Sequence, residues 1–135
     1  MRTLRRAARL VFLVACSWGG CKSPDSEVFA HISRPRTSPS GRYRLVVFEE
    51  HDGKAGVNGF RIEDENGRVL FSPSQRWSSR HRLLFLWDEA ERVWVYSSDV
   101  GTLIWESQSE TQWREQSYRQ SGLTPPAALR DLLPP

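Results

Sequence analysis

The side chains that do chemistry in small proteins are present here but scattered. The three histidines are His31, His51 and His81. No two of them stand four residues apart, as they would to share one helix face, and none alternates closely with cysteine or carboxylate. The pattern therefore gives no metal site. Serine is abundant, yet no Gly-x-Ser-x-Gly elbow leads into a helix, so no serine is marked as a nucleophile. Asp52-Gly53-Lys54-Ala55-Gly56 has the glycines of a phosphate loop without its Gly-Lys-Ser/Thr end or following helix. The acidic clusters Glu63-Asp64-Glu65 and Asp88-Glu89-Ala90-Glu91 lack the ligand alternation and glycine of an EF-type calcium loop, and read as solvated turns. These patterns point away from an enzyme and imply no cofactor.

Aromatic rings are the remaining chemistry, with six Trp, six Phe and three Tyr. Trp87, Trp94 and Trp105 fall inside strand-like segments, Trp77 just ahead of one, and Trp113 on a more polar one. Alternation places Trp94 with Tyr96 on one face of its strand and Val93 with Val95 on the other, while Trp105 goes with Leu103. If both sheet faces are covered, these rings are all core. If one face is open, Trp94, Tyr96 and Trp105 form an aromatic platform for a sugar ring or a partner chain.

The elements that must position them are short strands. Residues 43–48 put Tyr43, Leu45 and Val47 on one face. Residues 59–64 alternate Phe60 and Ile62 against Arg61 and Glu63. Asn66-Gly67 is a strong hairpin signal in which both turn residues take φ > 0. A two-residue loop there pairs Glu65 with Arg68, Asp64 with Val69 and Ile62 with Phe71. Phe60, Ile62, Val69 and Phe71 then share a face. Residues 82–87 are apolar on both faces, as in a central strand. Residues 92–97 and 102–106 follow after short turns, and 111–118 suits an edge. Residues 28–32 read as a short first strand and 33–41 as a loop without core residues. The tail predicts a helix near 125–133, capped by Thr124, with Pro125 in its first turn and Leu129, Leu132 and Leu133 on one face. The expected fold is all-β: an antiparallel meander of about 6–8 short strands, as blade-like sheets or a small sandwich, with a short C-terminal helix.

The N-terminus is of another kind. Residues 1–9 are basic, and the apolar run 10–15 ends at Cys16. Six helical residues rise only ~9 Å, too little for a bilayer core of ~30 Å, so this is a leader of the secretory type. Leu13-Val14-Ala15-Cys16 resembles the lipobox of bacterial lipoproteins. The resemblance implies cleavage before Cys16, lipidation of its thiol and acylation of the new amino group, hence a membrane-anchored protein of the bacterial envelope. Ser17, where Asp favours inner-membrane retention, tilts the expectation to the outer membrane. Cys21 follows Trp18-Gly19-Gly20, without the aliphatic residue a lipobox needs. The other reading is an ordinary leader with a Cys16–Cys21 disulfide or two idle thiols. The domain reading is a signal peptide over 1–15, a lipidated cysteine and tether or loop over 16–41, and one β domain over 42–135.

Charge agrees with that division. The formal net charge is +3, but Arg2, Arg5, Arg6 and Arg9 belong to the leader, and without those four the balance is −1. No basic stripe survives to hold nucleic acid. A mean hydropathy of −0.54 excludes a multi-span membrane protein. Ser38-Pro39-Ser40-Gly41-Arg42-Tyr43-Arg44-Leu45 resembles the Ser-Pro-Asp-Gly turn and strand of bacterial propeller repeats. The segment from Trp77-Ser78 to Phe85 looks like a second copy about 40 residues on. Two blades cannot close a ring of at least four, so the resemblance implies blade-like sheets and transfers no catalytic residues. The expected function is a non-catalytic envelope lipoprotein whose β domain meets a protein or envelope partner. The alternatives are a glycan-binding module using the aromatic face, a cell-wall hydrolase, and an inhibitor or immunity-type lipoprotein.

Overall fold

Alternating apolar residues, many of them β-branched or aromatic, fit a pleated surface that is buried on one side, and the chain uses them in that way. The computed structural model describes residues 27–53 and 55–133. The leader, Cys16 and Cys21 lie outside the described residues. Nine strands are described: β1 (Arg36–Thr37), β2 (Tyr43–Asp52), β3 (Ala55–Asp64), β4 (Val69–Phe71), β5 (Trp77–Ser78), β6 (Leu83–Trp87), β7 (Val93–Ser97), β8 (Gly101–Ser107) and β9 (Trp113–Ser117). A short helix α1 (Tyr118–Ser121) and a 3-10 helix (Ala127–Leu132) complete the chain. One sheet runs β1-β2-β3-β4, with β5 also paired to β3, and the other is the meander β6-β7-β8-β9. All pairings are antiparallel.

The two sheets face each other across a single aromatic core. Tyr43, Leu45 and Val47 of β2 and Phe60 and Ile62 of β3 meet Phe85, Trp87, Val93, Val95, Trp105 and Trp113 of the second sheet. Phe60 and Trp105 pack edge to face at 4.9 Å, and Tyr43 meets Trp113 in the same way at 5.4 Å. Each such burial contributes roughly 1.5–3 kcal/mol. A second cluster lies on the outer face of the β6–β9 sheet. There Leu86, Trp94 and Ile104 are covered by Phe29 from one end of the described chain and Leu129 from the other. The outer face of the first sheet is smaller in apolar area. Phe48 lies over Gly59, where a Cβ would come within 2.6 Å of the ring. The Arg76 and Arg61 guanidinium groups stand 4.9 Å and 5.9 Å from the centre of that ring.

The hairpin at residues 64–68 forms, but with another turn. Asp64 N–H donates to the Arg68 carbonyl and Gly67 N–H to the Asp64 carbonyl, leaving three residues in the loop. Only Gly67, at φ 84°, is left-handed. This is a type I turn closed by a left-handed glycine, which inserts a bulge. Ile62 still pairs with Phe71, but Glu63 rather than Asp64 pairs with Val69. Val69 is therefore exposed and Leu70 takes the buried place. Asp88 to Arg92 repeats the same design between β6 and β7. Both aspartates accept two amide hydrogen bonds at 2.9 Å through Oδ1, from Asn66 and Arg68 in one turn and from Ala90 and Arg92 in the other. Where the first turn has Gly67, the second has Glu91 at φ 59°. A left-handed non-glycine residue costs roughly 1–2 kcal/mol. Glu91 offsets that cost by reaching the other sheet's N-terminal loop, where its Oε1 accepts the Ser40 amide at 2.7 Å.

Three carboxyls are held ionised by such contacts. Burial works against the charge of Glu91, but hydrogen bonds from Ser40 and Ser38 and the Arg42 charge outweigh it and lower its pKa. The Arg68 amide, foremost, lowers that of Asp64, and the Arg76 guanidinium lowers that of Glu50. Groups whose pKa is depressed on folding add stability above their unfolded value and lose it as pH falls through the folded one. The melting temperature should therefore fall as pH drops below about 4, and Glu91→Gln should flatten that fall. A thermal melt series from neutral to acid pH checks both, and equal slopes for Glu91→Gln and wild type would remove Glu91 as a contributor.

Three expectations are corrected. Residues 27–41 are not a free tether or loop. Ala30 N–H donates to the Phe85 carbonyl at 2.7 Å, and Arg36 and Thr37 pair with β2. Ser38 is buried, and its hydroxyl accepts the Tyr43 amide at 3.2 Å. Strand β6 is apolar on both faces but lies at the sheet's edge, because the segment around Phe29 and Ala30 supplies the cover that a neighbouring strand would otherwise give. The C-terminal helix is a 3-10 turn beginning at Ala127, without a side-chain cap. Its leucines do share the buried side.

Candidate functional site

Trp94, Tyr96 and Trp105 do not form a platform. Trp94 pairs with Ile104 and Val93 with Trp105, and opposite residues point to the same side of a sheet. Trp105 therefore enters the core between the sheets, while Trp94 faces the outer side. Both are closed to solvent, at 1% and 0% exposure. The indole of Trp94 donates to Asp88 Oδ2 at 2.8 Å, and Arg92 Nε donates to the same oxygen at 2.6 Å. Both sheet faces are covered, which leaves these two rings structural. Tyr96 alone remains half-exposed.

Tyr96 opens onto a groove of about 470 Å³ between the β7–β8 turn, α1 and the end of the 3-10 helix. That volume falls within the ~300–1,000 Å³ of small-molecule sites. The lining includes Asp99, Thr102, Tyr118, Arg119 and Leu132. Each is placed by a local device. Ser97 Oγ accepts the amides of Asp99 and Val100 and folds the turn that carries Asp99. Tyr118 packs its ring against Trp94 at 5.8 Å. Thr102 lies opposite Tyr96 in the ladder. Its side chain is buried, and Oγ1 makes no hydrogen bond among the described residues. Leaving a buried hydroxyl unpaired costs about 1–3 kcal/mol. Asn58 Oδ1 is also unpaired, beside a smaller, mainly apolar cavity lined by Val47, Leu83 and Phe85.

The histidines stand apart from one another. His31, His51 and His81 are all exposed. His81 Nε2 is 3.7 Å from Asp99 Oδ2. The neighbouring Ser98 hydroxyl accepts the Arg82 amide at 3.1 Å, so it serves the turn. Among the described residues no three His, Cys, Asp or Glu side chains cluster to hold a metal ion, and no helix is long and apolar enough to cross a membrane. The two acidic clusters act as turn anchors through Asp64 and Asp88 rather than as simple solvated turns. Sequence reasoning reached Tyr96 but not Asp99, Thr102, Tyr118 or Arg119, which are brought together only when the tail folds back on the second sheet. No family model, no curated protein and no solved structure matches this chain.

Proposed function

We propose that this chain is a lipid-anchored lipoprotein of the bacterial cell envelope, favouring the outer membrane, whose β-sandwich binds a partner without catalysing a reaction. The observation that carries the reading is Leu13-Val14-Ala15-Cys16 at the end of a basic segment and a short apolar run. A thiolate is the side chain best suited to accept an alkyl group, and two or more acyl chains hold a protein on a membrane where one holds it only marginally. The structured chain supports this arrangement. It begins at Glu27 with Phe29 already in a cluster, a short reach from Cys16. The binding role is supported by a half-polar groove on a rigid sandwich whose histidines are dispersed on its surface.

Expression of the full chain in bacteria fed labelled palmitate tests the anchor. Wild type should carry label and sediment with membranes, and Cys16→Ser should lose both. Label that is absent from wild type, or that depends on Cys21 alone, refutes the assignment.

A further inference from the structure

We propose that the groove between the β7–β8 turn and the tail is a binding site for a neutral pyranose of a glycan. The proposal rests on reading the domain as a binding module and is independent of the lipid anchor. Three properties of the lining select the ligand. Tyr96 and Tyr118 are half-buried, so they offer ring surface to the C–H face of a sugar while their hydroxyls stay polar. Asp99 and Arg119 give one acceptor and one donor group of opposite charge, which balance each other and suit vicinal hydroxyls, each both donor and acceptor. Thr102 supplies a third polar contact. It is 7% exposed and its Oγ1 is unpartnered among the described residues, so a ligand hydroxyl completes a bond the fold leaves open.

Other ligand classes fit less well. An anion would face Asp99 as well as Arg119, and a purely apolar chain would leave Asp99, Thr102 and Arg119 without partners. A zwitterionic peptide end could use Asp99 and Arg119 but has no use for the paired tyrosines.

The test is an amide chemical-shift titration of the full chain in detergent with N,N′-diacetylchitobiose, cellobiose and maltose, with glycylglycine as the charged comparison. At least one disaccharide should give saturable shifts at Gly101, Thr102 and Arg119, with Kd in the millimolar range. Thr102→Val removes the hydroxyl at constant shape. It should weaken binding about tenfold, equivalent to one lost hydrogen bond, while the melting temperature holds or rises. Arg119 is exposed, so Arg119→Ala should stay folded and also weaken binding. No shift with any of the three sugars at about 20 mM, where a millimolar site would be nearly saturated, overturns the proposal. Wild-type affinity in both variants does so too, and so does a response to glycylglycine alone. Palmitate labelling reads the anchor separately, so either idea can fail without the other.

Discussion

Trp105→Ala is expected to bring the domain close to unfolding. The ring is 1% exposed and meets Phe60 at 4.9 Å and Trp77 at 6.0 Å, both edge to face. Truncating a buried tryptophan costs about 3–5 kcal/mol, and each lost ring pair adds roughly 0.5–1.5 kcal/mol. Stabilities of small domains start near 5 kcal/mol. The melting temperature should fall by about 15 °C or more, with loss of near-ultraviolet circular dichroism. Trp94→Ala should behave alike, because it empties the outer cluster and strips a donor from Asp88. A melting point within a few degrees of wild type would place the substituted ring outside the core.

Asp88→Asn tests the turn chemistry more sharply. The carboxylate accepts the Ala90 and Arg92 amides through Oδ1 and the Arg92 and Trp94 side chains through Oδ2. An asparagine oxygen can keep the first pair, but its NH₂ then faces two further donors. The Asp88 side chain is 8% exposed and the Arg92 side chain 20%. Leaving a buried charged group unpaired costs about 3–5 kcal/mol, which is the expected loss. Asp64→Asn alters the same kind of turn where Arg68 lies in solvent, and a much smaller loss is expected. Chemical denaturation of the two variants gives the comparison. Equal losses would mean that the Trp94–Arg92–Asp88 contacts add nothing beyond the turn itself.

The strands were readable because their alternation is local. Tyr43, Leu45 and Val47 could face only one way once any side was buried. The hairpin at Asn66-Gly67 was legible in place but not in type. Two- and three-residue loops use the same residues, and the choice depends on which of Val69 and Leu70 the core accepts. Whether the Trp94 face was open depended on what the tail covers. The apolar side of Leu129, Leu132 and Leu133 was visible in sequence, but its target is set by the whole fold. Residues 33–41 offered almost no apolar side chains, so backbone pairing with β2 and the buried Ser38 hydroxyl were invisible to a hydrophobic pattern. The groove had the same obstacle, since nothing in the spacing of Asp99, Thr102 and Tyr118 says that a hydroxyl will be buried unpaired between them.

The docking of the chain's first described residues has a mechanical consequence. Ala30 is joined to the sandwich by a single backbone hydrogen bond to Phe85, and β1 pairs with β2 over only two residues. Tension applied through the N-terminus meets these attachments one after another, as a zipper does, rather than all at once in shear. The segment ahead of β2 can yield and lengthen the leash while β2–β9 keep their pairings. A pull on the chain's leading end is thus spent on a peelable strap before it reaches the barrier that guards the core.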